Sequence, residues 1–250
     1  MTPALSTTNL VRKFGGLIAT DDVTLSLPPG ARHALIGPNG AGKTTLINLL
    51  TGVLTPSSGA IALQGADITH ASRARRVELG LVRTFQINQL FPGFTPLQTV
   101  GLAVSRRLGL DRHMFRRIGA DPRVVEGAVD VLERFDLIDV MNRPTASLPY
   151  GKQRLLEIAV AIACGPRVLL LDEPAAGVPE GERGEIMDGL AQLPADVSVL
   201  LIEHDMDLVF RFAQRISVLV AGRLLLEGTA AEVAADPRVR EVYLGDAAHG

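Results

Sequence analysis

Gly37-Pro38-Asn39-Gly40-Ala41-Gly42-Lys43-Thr44-Thr45 is the stretch whose reading decides the fold. It satisfies the P-loop pattern G-x-x-x-x-G-K-[ST], opening at Gly37 and closing at Gly42-Lys43-Thr44. Upstream, Ala31-Arg-His-Ala-Leu-Ile36 is a short, mostly apolar run that predicts a buried strand ending at the loop. Downstream, Leu46-Ile-Asn-Leu-Leu-Thr51 has helical apolar spacing, and Gly52 is a helix stop. Glycines let the backbone turn sharply, so that several N–H groups and a helix N-terminus converge on one phosphate. In that arrangement Lys43 reaches the β- and γ-phosphates and the Thr44 hydroxyl ligates Mg²⁺. The stretch predicts a nucleoside triphosphate site.

The bulk numbers bound what surrounds it. A chain of 250 residues holds one large domain, or a domain with a sizeable subdomain, and 47% hydrophobic residues suffice for a core. A net charge of −2 supplies no basic field, so no nucleic-acid partner is expected. The Arg73-Ala-Arg75-Arg76 and Arg116-Arg117 clusters read as solvated faces. Cys164, the single cysteine, lies in an apolar run and reads as a small buried thiol, with no disulfide or zinc site to be built from it. No signal peptide and no membrane span are expected, so any link to a membrane runs through a partner.

Along the chain, Asn9–Phe14 is followed by Gly15-Gly16, and Val23–Leu27 alternates as a half-exposed antiparallel strand. Phe14 stands before two glycines, where it could stack on an adenine ring; spacing alone favours core. Ala60–Leu63 predicts a strand, Ala71–Leu79 an Arg-rich helix, and Gly80–Gln86 another strand. Gln86 at its end either looks into the site or is a surface glutamine. From Phe91 to Pro144 strand signals fade, and helical patterns at Leu97–Leu108 and Val124–Phe135 predict an insertion of roughly sixty residues. His113 between them reads as a solvated loop residue. A helix starts at Tyr150. Val168-Leu-Leu-Leu171 is wholly apolar, hence a central strand, and ends in Asp172-Glu173. Asp172 is placed to hold Mg²⁺ and Glu173 to take a proton from an attacking water. Val197–Ile202 is a second core strand, ending in Glu203-His204-Asp205, and His204 could contact a γ-phosphate. Ile216–Val220 and Arg223–Glu227 read as a hairpin about Ala221-Gly222.

With these residues in view, the chain resembles the ATP-binding subunits of ABC transporters over almost its whole length. Gly37–Thr45 matches the family's Walker A, Val168–Asp172 its Walker B, Glu173 its catalytic glutamate, Gln86 its Q-loop and His204 its switch histidine. The resemblance places Phe14 at the adenine-stacking position, against the preference from spacing, and adds Gln86 to Thr44 and Asp172 at the metal. It implies an α/β P-loop NTPase (RecA-like) core at 1–86 and 148–250, with an N-terminal antiparallel β part and an inserted helical subdomain at about 87–147. It further implies ATP hydrolysis with Mg²⁺ at the cytoplasmic face of a membrane. The implied partners are multi-span permease subunits, a second ATPase subunit and, indirectly, an extracytoplasmic solute-binding protein. Val82–Gln86, Leu156–Ala159, Asp172–Gly177, Leu201–Met206 and Val242–Gly245 are similar to importers of branched-chain amino acids and of urea or short amides. Export or lipid-moving systems and soluble ABC ATPases are the alternative readings.

Two departures stand out. The family's Leu-Ser-Gly-Gly-Gln signature, which completes ATP on a partner subunit, is here Leu148-Pro149-Tyr150-Gly151-Lys152. Pro149 has neither hydroxyl nor N–H, leaving the Gly151 N–H, the helix N-terminus and Lys152 to meet phosphate. After Ala175–Val178 stands Pro179, where the family has Asp or Asn. Intact groups of its own beside weakened groups for its neighbour favour a heterodimer with a second ATPase over a homodimer.

Overall fold

Two sheets carry the P-loop, and helices make up most of a second unit. The computed structural model describes residues 1–84, 90–110 and 121–246, with 243–246 described by backbone alone. These divide into two units: Met1–Val82, Arg167–Glu173 and Ala195–Gly250 form the first, Arg83–Pro166 and Pro174–Pro194 the second. The helical unit therefore reaches beyond the expected span 87–147. Its added parts are helices that pack on one another, as described below.

In the first unit, β1 (Leu5–Phe14) and β2 (Leu17–Val23) form a hairpin about Gly15-Gly16. Together with β3 (Ser26–Leu27), β5 (Ser58–Leu63) and β6 (Ala66–Asp67), they make an antiparallel sheet of order β2-β1-β5-β6, with β3 also on β1. The expected strand over 23–27 is split between β2 and β3. Its alternation nonetheless holds, since Val23, Leu25 and Leu27 are buried while Thr24 and Ser26 are exposed.

The second sheet has the order β11-β10-β4-β9-β8-β7. Here β4 is Arg32–Ile36, β7 Leu81–Arg83, β8 Val168–Asp172, β9 Ser198–Ile202, β10 Arg215–Val220 and β11 Arg223–Gly228. The strands β10, β4, β9 and β8 run parallel, and β11 returns antiparallel. All five residues of β8 and of β9 are buried, as strands covered on both faces require. The β10–β11 turn puts Ala221 at φ 46° and Gly222 at φ 78°, both positive as a two-residue hairpin turn demands. The P-loop helix α1 (Lys43–Leu50) buries Leu46, Ile47, Leu49 and Leu50 in a core with Leu5, Leu10, Leu35, Leu170 and Leu200.

The Arg-rich stretch forms α2 (Arg73–Glu78), and Arg76 in it is buried, not solvated as expected. Its guanidinium donates to the Leu49, Leu50, Thr69 and Ala71 carbonyls. Two of these are end carbonyls of α1, which lack partners within the helix and attract a cation. Burial pulls the Arg76 pKa below its ordinary value. The expectation failed because a charge run in sequence does not show which carbonyls it will meet.

In the second unit, α3 (Pro96–Arg107) starts in a capping box of Thr95 and Gln98, and α4 (Pro122–Arg134) starts at Asp121. Both pack on α5 (Tyr150–Ala163), which also packs on α6 (Arg183–Ala191). Gly189 lets α6 approach Leu155 more closely than any side chain there would permit. Cys164, at the end of α5, is half-buried rather than fully buried, and burial raises its thiol pKa. The first unit closes with α7 (Met206–Phe212), α8 (Ala230–Ala235) and α9 (Pro237–Asp246). Among the described residues no helix is long and apolar enough to cross a membrane.

His33, on the strand that feeds the P-loop, is 1% exposed and its Nε2 lies 2.8 Å from Ser217 Oγ, which donates to Glu227 at 3.3 Å. Burial lowers the His33 pKa; Glu227 opposes that shift and Arg215 adds to it. The unfolded chain, with His near pH 6.5, then binds the proton that the folded chain resists. Stability is accordingly present above about pH 6.5 and lost as pH falls below it. Chemical denaturation between pH 7.5 and 5.5 is expected to show that loss. His33→Gln, which keeps a side-chain N–H for Ser217, is expected to flatten it.

Candidate functional site

Strand register brings the first unit's polar ends to one edge. Leu35 of β4 pairs with Ile202 of β9, and Ile202 pairs with Asp172 of β8. The P-loop begins two residues past Leu35, His204 lies two past Ile202, and Glu173 one past Asp172. In a parallel sheet this carboxyl edge is where ligands bind, with β4 and β8 about 10 Å apart across the one strand between them.

The loop itself is shaped by close approaches. A side chain at Gly37 would collide with the Leu219 carbonyl, and one at Gly42 with the Ala19 carbonyl. Gly42 caps α1 at φ 101° with no side-chain cap, and the first turn holds no acid. The first turn of the helix thus opens on a mouth with no side-chain cap and no acid, which suits a polyphosphate. Gly222 N–H donates to the Ala41 carbonyl at 2.8 Å, so the β10–β11 turn braces the loop. Lys43 Nζ donates to the Gly37 carbonyl at 2.6 Å and to the Pro38 carbonyl at 3.0 Å. Two of its three donors therefore hold the ammonium over the loop. Pro38, Asn39, Gly40 and Ala41 make up the intervening arc, and Thr44 and Thr45 open the helix.

The acids are held as tightly. Asp172 is 6% exposed at the end of β8. Glu173 adopts φ 48°, a left-handed conformation costing a non-glycine residue roughly 1–2 kcal/mol. Its N–H donates to the Ile202 carbonyl at 2.9 Å, which ties that conformation to β9. His204 Nδ1 lies 3.9 Å from Glu173 Oε1 and 3.7 Å from Glu203 Oε2. Buried Glu203 accepts from the His204 N–H at 3.0 Å and so orients the turn that presents the imidazole. Glu203 has a positioning role that sequence reading missed; its only signal was an acid directly after an apolar strand. Among the described residues no group of three or more His, Cys, Asp or Glu could hold a metal ion. The donor set left, the Thr44 hydroxyl and the Asp172 carboxylate, fits Mg²⁺, which takes one or two protein ligands beside phosphate oxygens.

Phe14 ends β1 and pairs with Leu17, two residues from Ala19 and hence about 7 Å along the strand from the contact with Gly42. It is 42% exposed, so the core reading from spacing fails. The hairpin turn at Gly15-Gly16 carries the ring past the edge of the core. Gln86 and His113 lie outside the described residues.

The signature residues belong to the second unit. Leu148 is buried, and Pro149 precedes α5 without a side-chain cap. The Gly151 N–H donates to Glu182 Oε2 at 2.8 Å. Pro179 starts the short 3-10 turn Glu180–Glu182 that brings this carboxylate back. The N–H expected to wait for phosphate already has a carboxylate on it, a contact across thirty-one residues that no local pattern announces. Lys152 Nζ is held by Asp136, 2.7 Å from its carbonyl and 3.1 Å from its carboxylate. The Tyr150 hydroxyl lies 3.4 Å from the Ala176 carbonyl, with the Arg154 guanidinium 5.2 Å from its ring centroid.

Comparison with known proteins bears on all of this. The profile of the ABC transporter family matches residues 20–176, and that of the branched-chain amino acid ATP-binding cassette transporters matches 223–249. The high-affinity branched-chain amino acid transport ATP-binding protein LivG of Escherichia coli (strain K12) is 39% identical, covering 98% of this chain and 99% of LivG. BraF of Pseudomonas aeruginosa, of the same description, is 38% identical over the same shares. Among solved structures, the ADP conformation of an ATP-binding cassette of an ABC transporter is similar at a TM-score of 0.85 and 32% identity, covering 98% of this chain and 100% of that one. A nucleotide-free cassette is similar at 0.83 and 32%, covering 96% and 98%.

Proposed function

The chain belongs to the ABC transporter family of ATP-binding subunits, and from that premise we propose that it powers an importer of branched-chain amino acids or closely related small solutes. The observation that carries this reading is the match of residues 223–249 to the branched-chain cassette profile, beside relatives of that description alike over nearly their full lengths. The chain is an ATPase. The α/β fold that the P-loop implied is the fold of its structural neighbours.

In the proposed mechanism the P-loop N–H groups and Lys43 bind the β- and γ-phosphates, and Phe14 stacks on the base. The Thr44 hydroxyl and the Asp172 carboxylate would hold Mg²⁺, which neutralises charge on the phosphates. Glu173 takes a proton from water as the water oxygen bonds to the γ-phosphorus and the bond to the β–γ bridging oxygen breaks, releasing ADP. His204, 3.9 Å from Glu173, meets the γ-phosphate from the β9 side. Gln86 completes the set by resemblance. The second unit offers an apolar groove lined by Phe94, Leu97, Leu102, Val124 and Ala128 as surface for a permease subunit at the cytoplasmic face of the membrane. The solute-binding protein acts outside, through the permease.

The split between the units supports pairing with a different ATPase subunit. Apart from Gln86, the groups this chain uses on its own nucleotide lie in the first unit. Those it lends to a neighbour lie in the second, where Pro149 has no hydroxyl, Lys152 is engaged by Asp136 and Glu182 must leave Gly151 before phosphate can enter.

Glu173→Gln is expected to keep ATP affinity while lowering steady-state hydrolysis by about 10²- to 10⁴-fold. In the assembled transporter, uptake of leucine, isoleucine or valine is expected to stop with it. Unchanged hydrolysis removes Glu173 from the role, and intact hydrolysis without uptake of any of the three removes the solute assignment. For pairing, turnover by the chain alone is expected to rise when the second ATPase and permease subunits are added, and Pro149→Ser is expected to speed the chain alone. Full-rate, cooperative hydrolysis by the homodimer, indifferent to Pro149→Ser, contradicts the heterodimer.

A further inference from the structure

Arg12 lies two residues before Phe14 on β1, where the pairing with β2 is irregular on both sides of it. Its guanidinium carbon lies 4.5 Å from the Phe14 ring centroid, so one face of the ring is covered by a cation. The ring is still 42% exposed with that face taken. At its other end the guanidinium is fixed, because Nη1 donates to the Thr55 carbonyl at 2.7 Å. Thr55 lies in the loop that leaves the P-loop helix α1, and the same loop is stitched to β1 twice more. Ser57 N–H donates to the Val11 carbonyl at 2.7 Å, and Lys13 N–H donates to Ser57 Oγ at 3.0 Å. Arg12 Nε is buried without a hydrogen-bond partner. Leaving that donor unpaired is unfavourable, and a strand arginine that swung out to water would avoid it. The side chain stays under the ring instead.

We infer that Arg12 is a positioning residue for the nucleotide base, holding Phe14 from behind so that guanidinium, ring and base form a three-layer stack. This rests on the reading that Phe14 stacks on the base. Two effects act together. A ring held by a cation has its rotamer set before the nucleotide arrives, so less side-chain freedom is lost on binding. The cation also draws π-electron density to its own side, which lessens repulsion between the outer face and the π cloud of an incoming base. Neither effect reads the base edge, so the stack serves purine nucleoside triphosphates as a class. The anchor at Thr55 adds a consequence: the platform's height is fixed relative to the loop at the far end of the P-loop helix.

Affinities of the full-length chain for ATP, GTP and inorganic tripolyphosphate test the inference, measured for Arg12→Gln, Phe14→Ala and the double variant. Arg12→Gln is expected to weaken ATP and GTP roughly three- to fivefold and leave tripolyphosphate unchanged. In the Phe14→Ala background the same change is expected to do nothing further to ATP. In turnover, KM for ATP is expected to rise by the same factor with kcat unchanged. Arg12→Lys keeps charge and a donor for Thr55 but loses the flat guanidinium face, and is expected to fall between. Equal weakening of ATP and tripolyphosphate by Arg12→Gln, or an unchanged penalty in the Phe14→Ala background, assigns Arg12 to strand anchoring and overturns the inference. If Arg12→Gln does not fold, Arg12→Lys decides by the same comparison. If Phe14→Ala leaves ATP and tripolyphosphate affinities in their original ratio, base stacking itself fails, and the role of Arg12 with it.

Discussion

The parallel pairing of β4, β9 and β8 is the constraint on which the nucleotide site depends. Leu35, Ile202 and Asp172 are level across three strands, so a P-loop, a histidine and two acids far apart in sequence end at one edge. A slip of one residue in any of the three would turn Asp172 or the loop entry to the opposite face of the sheet. Every residue of β8 and β9 is inside, so a slip of either strand would force the packed side chains on both of its faces to rearrange. The strain at Glu173 is possible for the same reason. Its left-handed backbone is held by a hydrogen bond to the Ile202 carbonyl, on the strand whose register places it.

A second consequence is how the two units share the work. The first holds the P-loop, Asp172, Glu173 and His204, and each is supported by backbone contacts within that unit. The second holds Leu148–Lys152 and Ala175–Pro179, and there the groups are turned toward one another. Glu182 sits on the Gly151 N–H, Asp136 holds Lys152, and Tyr150 reaches the Ala176 carbonyl. A proline at 149 and another at 179 are two ends of one arrangement. The first leaves the start of α5 without a side-chain cap, and the second starts the turn that supplies Glu182 as a substitute.

What the sequence made legible was local. The glycine loop, the apolar strands ending in acids and the helical patterns from 97, 124 and 150 each declare themselves within a window of a few residues, through spacing and breakers. What it concealed was contact at a distance. Arg76 looked like surface charge because two of its four carbonyl partners are twenty-six and twenty-seven residues away, at the end of another helix. Phe14 looked like core because spacing cannot show that a hairpin turn lifts its ring past the last packed layer. Glu182 and Glu203 carried no motif at all, since an acid is informative only once the N–H it meets is known. For Phe14 the family resemblance had pointed away from the core, and its exposure agrees with that much.

The central claim is that the nucleotide site on this chain is built by the chain's own groups, most of them in its first unit, and needs no neighbour to bind. Equilibrium binding of ATP to the full-length chain, with association followed in the same samples by sedimentation, tests it most directly. The account predicts one nucleotide bound per chain while the protein is still monomeric, with association following occupancy. Nucleotide retained only by associated chains, and none by the monomer, would contradict it.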